Sequence, residues 1–111
     1  MLDITAEQLN LLQGLLQQHL PHTTAMAFGS RVGNWPFGRG PKPYSDLNIA
    51  LVGLTAADAL ALANLRADLE ESTLPWRVDI SDTSDLPPAL CALVLEHGVL
   101  LHGQPPQACQ A

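Results

Sequence analysis

The sequence predicts an α+β fold, in which a mixed β-sheet of about four strands packs against helices. Two observations carry this prediction. Apolar residues recur with helical and strand-like periods in the order helix, strand, strand, helix, strand, helix, strand. The loop between the first two strands allows a hairpin, whereas helices separate the later strands, so the sheet combines antiparallel and parallel neighbours.

The composition indicates one small domain. The chain has 111 residues, of which 47% are hydrophobic, and we expect a domain at 1–103 followed by an unstructured tail at 104–111. A net charge of -6 with only five Lys and Arg argues against direct nucleic-acid binding. The acidic, amphipathic N-terminus and the absence of a long apolar run predict a cytoplasmic protein without membrane association, and Cys91 and Cys109 are expected to be free thiols.

The first half of the chain gives a helix, a strand and a long loop. Thr5 and Gln8 have the spacing of a capping box, so the first helix is predicted from Ala6 to His19, with Pro21 beyond its end. The segment 23–28 is predicted as a strand that Gly29 closes. Glycines and prolines interrupt residues 32–44, which predicts an extended loop.

The second half supplies three more strands and two helices. Strands are predicted at 46–52, 76–81 and 99–103. Thr55 is predicted to cap a helix that continues to about Glu70, with an apolar stripe of Ala57, Ala61, Leu65 and Leu69. A last helix begins at Pro87 and Pro88, which suit a first helical turn, and ends at Gly98.

Polar side chains on two of these strands indicate a cation site. Asp46 and Asn48 share one face of their strand, and Asp79 lies on the opposite face of its strand from Val78 and Ile80. If the two strands are neighbours, three oxygen-bearing side chains converge, which suits a hard cation such as Mg²⁺. Taken singly, each residue is more typical of a turn or a solvated surface; only their combined order and spacing favours a site.

That combined pattern resembles the minimal nucleotidyltransferase (MNT) proteins of the DNA polymerase β-like superfamily. The resemblance rests on Gly29-Ser30-Arg31, on Ser45-Asp46-Leu47-Asn48 and on Asp79 within "WRVDI", and it extends over nearly the whole chain. It implies a nucleotidyltransferase fold and Mg²⁺-dependent transfer of a nucleoside monophosphate from ATP or another nucleotide. It also implies a HEPN-domain partner, for which small members of the family act as antitoxins.

The resemblance also implies roles for individual residues. Gly29 and Ser30, with Arg31 and Ser45, would bind the nucleotide, although a structural ion pair is an equal alternative for Arg31. Asp46 and Asp79 would be catalytic. Together with Asn48 they would hold Mg²⁺, and Asp79 would help to activate the attacking hydroxyl.

Two features depart from the family pattern. Asn48 stands where the family has a metal-bridging Asp, and a neutral amide weakens divalent binding. The loop at 32–44 is longer than usual and carries Trp35, Phe37 and Arg39, which favours a plain insertion over a lid or a partner contact.

Two functions therefore stay open at this point. One is an active nucleotidyltransferase, and the other is a catalytically degenerate binding module that neutralises a HEPN partner. The Leu-rich first helix leaves open a homodimer as well as a contact with that partner.

Overall fold

The computed structural model describes residues 4–29, 32 and 46–104. These ranges form the helices α1 (Ala6–His19), α2 (Ala59–Glu71) and α3 (Pro88–His97), and the strands β1 (Thr24–Phe28), β2 (Leu47–Val52), β3 (Val78–Asp82) and β4 (Val99–His102). Short 3-10 turns occupy Ala56–Asp58 and Thr83–Asp85. The predicted order of helices and strands is confirmed. The predicted loop at 32–44 and tail at 104–111 lie outside the described ranges, apart from Val32 and Gln104, and stay predictions.

Local hydrogen bonds explain where α1 begins. The Thr5 N–H donates to Gln8 Oε1 at 2.9 Å, and the Gln8 N–H donates to Thr5 Oγ1 at 3.1 Å, so both halves of the predicted capping box are present. Leu20 caps the other end, just before Pro21. The helix has the predicted bounds because its start and stop signals are local.

The start of α2 differs from the prediction. A 3-10 turn at Ala56–Asp58 precedes the helix, and the predicted apolar stripe is wrong at Ala57, which is exposed, whereas Asp58 is buried. The Asp58 carboxylate accepts hydrogen bonds from the Thr55 N–H at 2.8 Å and from His22 Nε2 at 3.0 Å. These contacts draw Asp58 inward and rotate the first turn. The third strand is also shorter at its start than predicted, since β3 begins at Val78.

The four strands form one sheet in the order β3-β2-β1-β4. The strand β1 pairs antiparallel with both β2 and β4, whereas β2 and β3 are parallel and are connected through α2. The predicted mixed sheet is therefore confirmed, including the adjacency of β2 and β3 that the site hypothesis requires.

Apolar side chains cover the two faces of the sheet unequally. The helices α1 and α2 cover one face with a large core, which comprises Leu12, Leu16, Leu20, Leu65 and Leu69 from the helices, Ala25, Ala27, Leu47, Ile49, Leu51, Ile80 and Leu101 from the strands, and Val32. We call this the helix-layer face. The other face, which we call the α3 face, buries a small cluster of Met26, Phe28, Ala50 and Val94, with Leu86 and Leu90 packed beside it.

Two further expectations are tested by the fold. Across 4–29 and 46–104, no helix has the length and apolar character needed to cross a membrane. Cys91 is buried on α3 and is disulfide-bonded, so the expectation of a free thiol is wrong for this residue. Cys109 lies outside the described ranges.

Candidate functional site

The parallel register of β2 and β3 brings the predicted polar residues together. Asn48 is the register partner of Asp79, so their side chains leave the sheet on the same face. The Leu47 N–H donates to the Arg77 carbonyl at 2.8 Å, which fixes this alignment at the start of both strands. Asp46 directly precedes β2 and shares the face of Asn48 by alternation. The register therefore places Asn48 and Asp79 side by side on the α3 face, and the joint site with Asp46 stays a prediction.

The bend after β1 lies at the same place. Phe28 is the register partner of Asn48 on the antiparallel side, and Gly29 follows it with φ of +90°. A Cβ on residue 29 would lie 2.6 Å from the Asn48 Nδ2, which is closer than real Cβ atoms approach. The Asn48 amide group therefore packs directly against the Gly29 backbone. The positive φ favours glycine here, and any larger residue would also have to displace the Asn48 amide.

The carboxylates of the site are open to solvent. Asp46 and Asp79 are exposed, and Asn48 is half-buried between β1 and β3. Neither carboxylate forms an ion pair or side-chain hydrogen bond with another residue that the structure describes. An exposed, unpaired carboxylate is free to take a proton or a cation. Among the described residues, Asp79 therefore has no structural ion pair, including with the nearby Arg77.

The donor set fits a divalent cation in part. Two carboxylates and one amide oxygen are hard ligands of the type that Mg²⁺ takes. In 4–29 and 46–104 there is no group of three or more His, Cys, Asp or Glu side chains placed to hold a metal ion. The site thus has two anionic ligands at most from this part of the chain, and Asn48 supplies the third oxygen without charge.

Three predicted nucleotide-binding residues lie outside the described ranges. These are Ser30, Arg31 and Ser45, and their assignment stays a prediction. Val32 beyond them is buried, and its N–H donates to the Gly29 carbonyl at 3.0 Å.

A cleft at the edge of the sheet adjoins Asp79, and sequence reasoning missed it. Its volume is about 380 Å³, and it lies between α2 and the outer edge of β3. We call it the β3-edge cleft. It is lined by Arg66, Leu69, Glu70, Leu74 and Trp76, and by Arg77, Val78, Asp79 and Ile80. Arg66 Nη2 donates to the Ile80 carbonyl at 3.1 Å. No sequence signal pairs Arg66 with this strand, because the contact depends on how α2 packs.

A second polar contact is structural. His22 lies after α1 and donates to Asp58 at 3.0 Å, joining the start of β1 to the turn before α2. This hydrogen bond, together with the bond from the Thr55 N–H, holds the pKa of Asp58 below its usual range. Asp58 is on the helix-layer side of the molecule, away from Asp46 and Asp79, and we assign it to stability.

Comparison with known proteins decides the family. No protein-family model matches the chain. Over 81 residues, however, it is 44% identical to a Haemophilus influenzae protein named "Probable protein adenylyltransferase MntA", and the match covers 73% of this chain and 67% of that protein. The chain belongs to the MntA family. The resemblance to minimal nucleotidyltransferases is thereby confirmed.

Solved structures agree with this family. A crystal structure of a mutant MntA toxin–antitoxin complex matches with a TM-score of 0.66 and 25% identity, covering 86% of this chain and 73% of that chain. A toxin–antitoxin structure with AMP-PNP matches with a TM-score of 0.63 and 25% identity, covering 90% of this chain and 75% of that chain. These matches confirm the nucleotidyltransferase fold.

A third structure contains a modified partner. It is the complex of tri-AMPylated Shewanella oneidensis HEPN toxin with an MNT antitoxin, and it matches with a TM-score of 0.56 and 26% identity, covering 86% of this chain and 73% of that chain. The matched chain in each of these structures is longer than the present chain, as is the Haemophilus influenzae protein.

Proposed function

We propose that this chain transfers AMP from ATP to a hydroxyl group of a HEPN-domain partner protein and serves as the antitoxin of that partner in the cytoplasm. The 44% identical relative is named as an adenylyltransferase, and a structural neighbour is bound to an AMPylated HEPN toxin. The observation that carries the proposal for this chain is the β2–β3 register, which sets Asp79 beside Asn48 on the face where the Gly29 bend also lies.

The proposed reaction gives Asp79 the role of general base. The acceptor hydroxyl oxygen attacks the α-phosphorus of ATP, and a new bond forms between this oxygen and phosphorus. The bond from the α-phosphorus to the oxygen that bridges to the β-phosphorus breaks, and pyrophosphate leaves. The hydroxyl proton passes to the Asp79 carboxylate, which is exposed and therefore accessible to an incoming side chain.

Asp46 and Asp79 are the residues that would hold Mg²⁺, with Asn48 as a neutral third ligand. When bound, the ion offsets the negative charge of the triphosphate. This matters in a chain of net charge -6, which otherwise repels ATP. Because one carboxylate is replaced by an amide, we expect the ion to bind weakly without nucleotide.

The nucleotide is proposed to sit at the bend after β1. The positive φ of Gly29 lets the backbone bend here, while the Asn48 amide fills the space where a side chain would lie. Ser30 and Arg31 follow it in the sequence, and Ser45 precedes Asp46. We assign these four residues to binding of the triphosphate, the last three from their motif positions alone.

One observation favours a second function. Asn48 lowers the charge of the cation site, as expected of a binding module that neutralises a HEPN partner without catalysis. The relatives favour the transferase, because the names of two of them refer to adenylyl transfer or its product.

The two functions make different predictions for Asn48→Asp and Asp79→Asn. We would titrate Mg²⁺ and ATP by calorimetry and measure transfer of labelled AMP to the HEPN partner. If the protein is a transferase, the wild type binds Mg-ATP and labels the partner. Labelling then falls by about a hundredfold or more in Asp79→Asn, and Asn48→Asp binds Mg²⁺ more tightly than wild type.

Asp85→Asn is the matched control, because it removes an exposed carboxylate of the same type outside the proposed site. Labelling by Asp85→Asn should equal that of wild type. If wild type neither binds Mg-ATP nor labels the partner, while Asn48→Asp does both, the protein is a binding module.

A further inference from the structure

The outer edge of β3 offers backbone groups for another strand. In a parallel pair, alternate residues direct both their N–H and C=O groups to the neighbouring strand. The bond from the Leu47 N–H to the Arg77 carbonyl shows that Asp79 belongs to the set that faces β2. The backbone N–H and C=O groups of Val78 and Ile80 therefore point away from β2, toward the β3-edge cleft. Arg66 donates to the Ile80 carbonyl, whereas within 4–29 and 46–104 no hydrogen bond engages the outward backbone groups of Val78.

The same edge carries two arginines beside two carboxylates, Glu70 and Asp79. Arg66 and Arg77 both line the β3-edge cleft, and they are the two Lys or Arg residues within the described part of a chain whose net charge is -6. Arg66 is occupied by the Ile80 carbonyl, whereas Arg77 is exposed and has no ion-pair partner in the described ranges. Glu70 lies on the α2 side of the cleft. Arg77 is thus the cation that an incoming segment meets beside Asp79.

We infer that the acceptor segment of the partner docks along β3 as an added strand in the β3-edge cleft, with a carboxylate near its acceptor hydroxyl that pairs with Arg77. This inference rests on the proposed function and names the substrate that the site selects. Strand addition uses main-chain hydrogen bonds for affinity and side-chain contacts for choice. Here the Val78 backbone would provide the main-chain hydrogen bonds, and Arg77 would provide the selective side-chain contact.

Asp79 lies next to this edge, so a strand docked there would be close to the proposed general base. Its side chain leaves β3 on the α3 face, while the backbone groups of Val78 before it face the cleft. A strand laid against Val78 therefore runs beside the residue that receives the hydroxyl proton. The nucleotide is assigned to the other side of Asp79, toward Asn48 and Gly29. Donor and acceptor thus approach Asp79 from opposite sides and do not compete for space.

Binding and transfer can be measured separately. The binding probe is a fluorescein-labelled peptide of strand length with a central hydroxyl residue flanked by Glu, compared with the same peptide flanked by Lys and with the Glu peptide N-methylated at alternate residues. Anisotropy should show binding of the Glu peptide, which N-methylation abolishes because it removes the main-chain donors. Arg77→Gln should weaken binding about two- to fivefold, and Arg77→Lys should restore most of it.

Transfer kinetics give the second readout. Arg77→Gln should raise the acceptor KM by the same factor and leave the KM for ATP unchanged. The matched control is Gln17→Glu, which changes the net charge equally and lies in the cleft beside β4 at the opposite edge of the sheet. Neither KM should move in this control.

Other results would overturn either the docking inference or the proposed function. Equal binding of the Glu and Lys peptides, or an unchanged acceptor KM in Arg77→Gln, overturns the docking inference. A raised KM for ATP also overturns it, because the cleft then serves the nucleotide. If wild type binds the Glu peptide through Arg77 but transfers no AMP, the docking inference holds and the proposed function fails.

Discussion

The two faces of the sheet differ in how they are held and in what they expose. On the helix-layer face, Ile49 and Leu51 are completely buried beneath α1 and α2. One residue away on the same strand, Asn48 is half-buried on the α3 face, where the apolar cluster is small. Strand alternation therefore lets one segment serve both the core and the site. Among the described residues, the α3 face has the smaller apolar cluster, and Asp46 and Asp79 are exposed.

Adjacent residues on β2 give the largest test of this difference. Ile49→Ala should lower the free energy of unfolding by about 2–5 kcal/mol, because it leaves a cavity beneath the helices. Asn48→Ala should lower it by less than about 1 kcal/mol, since the amide is half-exposed. Urea denaturation followed by circular dichroism measures both. Similar losses for the two neighbours would show that the α3 face carries as much of the stability as the helix-layer face.

The bend at Gly29 gives an intermediate effect. Gly29→Ala should destabilise the fold by about 1–2 kcal/mol for the left-handed backbone alone, and the new methyl group must also displace the Asn48 amide. We expect weaker binding of ATP in calorimetry, because the bend and Asn48 move together.

Gly14→Ala is the control for that substitution. Apart from the nearby backbone of α1 itself, no atom lies within 4 Å of a Cβ at this exposed position, so alanine should stabilise the protein by about 0.5–1 kcal/mol through helix propensity. ATP binding that survives Gly29→Ala intact would separate the bend from the nucleotide site.

The pH dependence of Asp58 gives the smallest effect, and it belongs to the helix-layer side. The hydrogen bonds from His22 and Thr55 keep its pKa below its ordinary value of about 3.9. A depressed carboxyl pKa contributes stability that is fully present above the unfolded pKa and is lost as the pH falls through the folded one. The stability difference between wild type and Asp58→Asn should therefore shrink below about pH 3.9.

Urea denaturation of both proteins across the acid range measures this convergence. A difference between wild type and Asp58→Asn that stays constant across this range would mean that the pKa of Asp58 is the same in the folded and unfolded states.

Local signals made much of the fold predictable. The capping box of Thr5 and Gln8 and the stop at Pro21 set the bounds of α1, and the period-two pattern placed Asp79 opposite Ile80 correctly. Contacts between distant segments were not predictable. The burial of Asp58 depends on His22, 36 residues away, and no local pattern contains that pair.

The site followed the same division. Sequence alternation put Asp46 and Asn48 on one face, but the alignment of Asn48 with Asp79 depends on how α2 returns the chain to the sheet. The contact between Asn48 and Gly29, and the position of Arg66 on the β3 edge, likewise arise only from packing.

Both proposed roles of Asp79 depend on the alignment of β3 against β2. A slip of β3 by one residue would present Val78 or Ile80 to Asn48 and turn the Asp79 carboxylate beneath α2. A chain with this slip would lose the proposed base and the proposed cation ligand together.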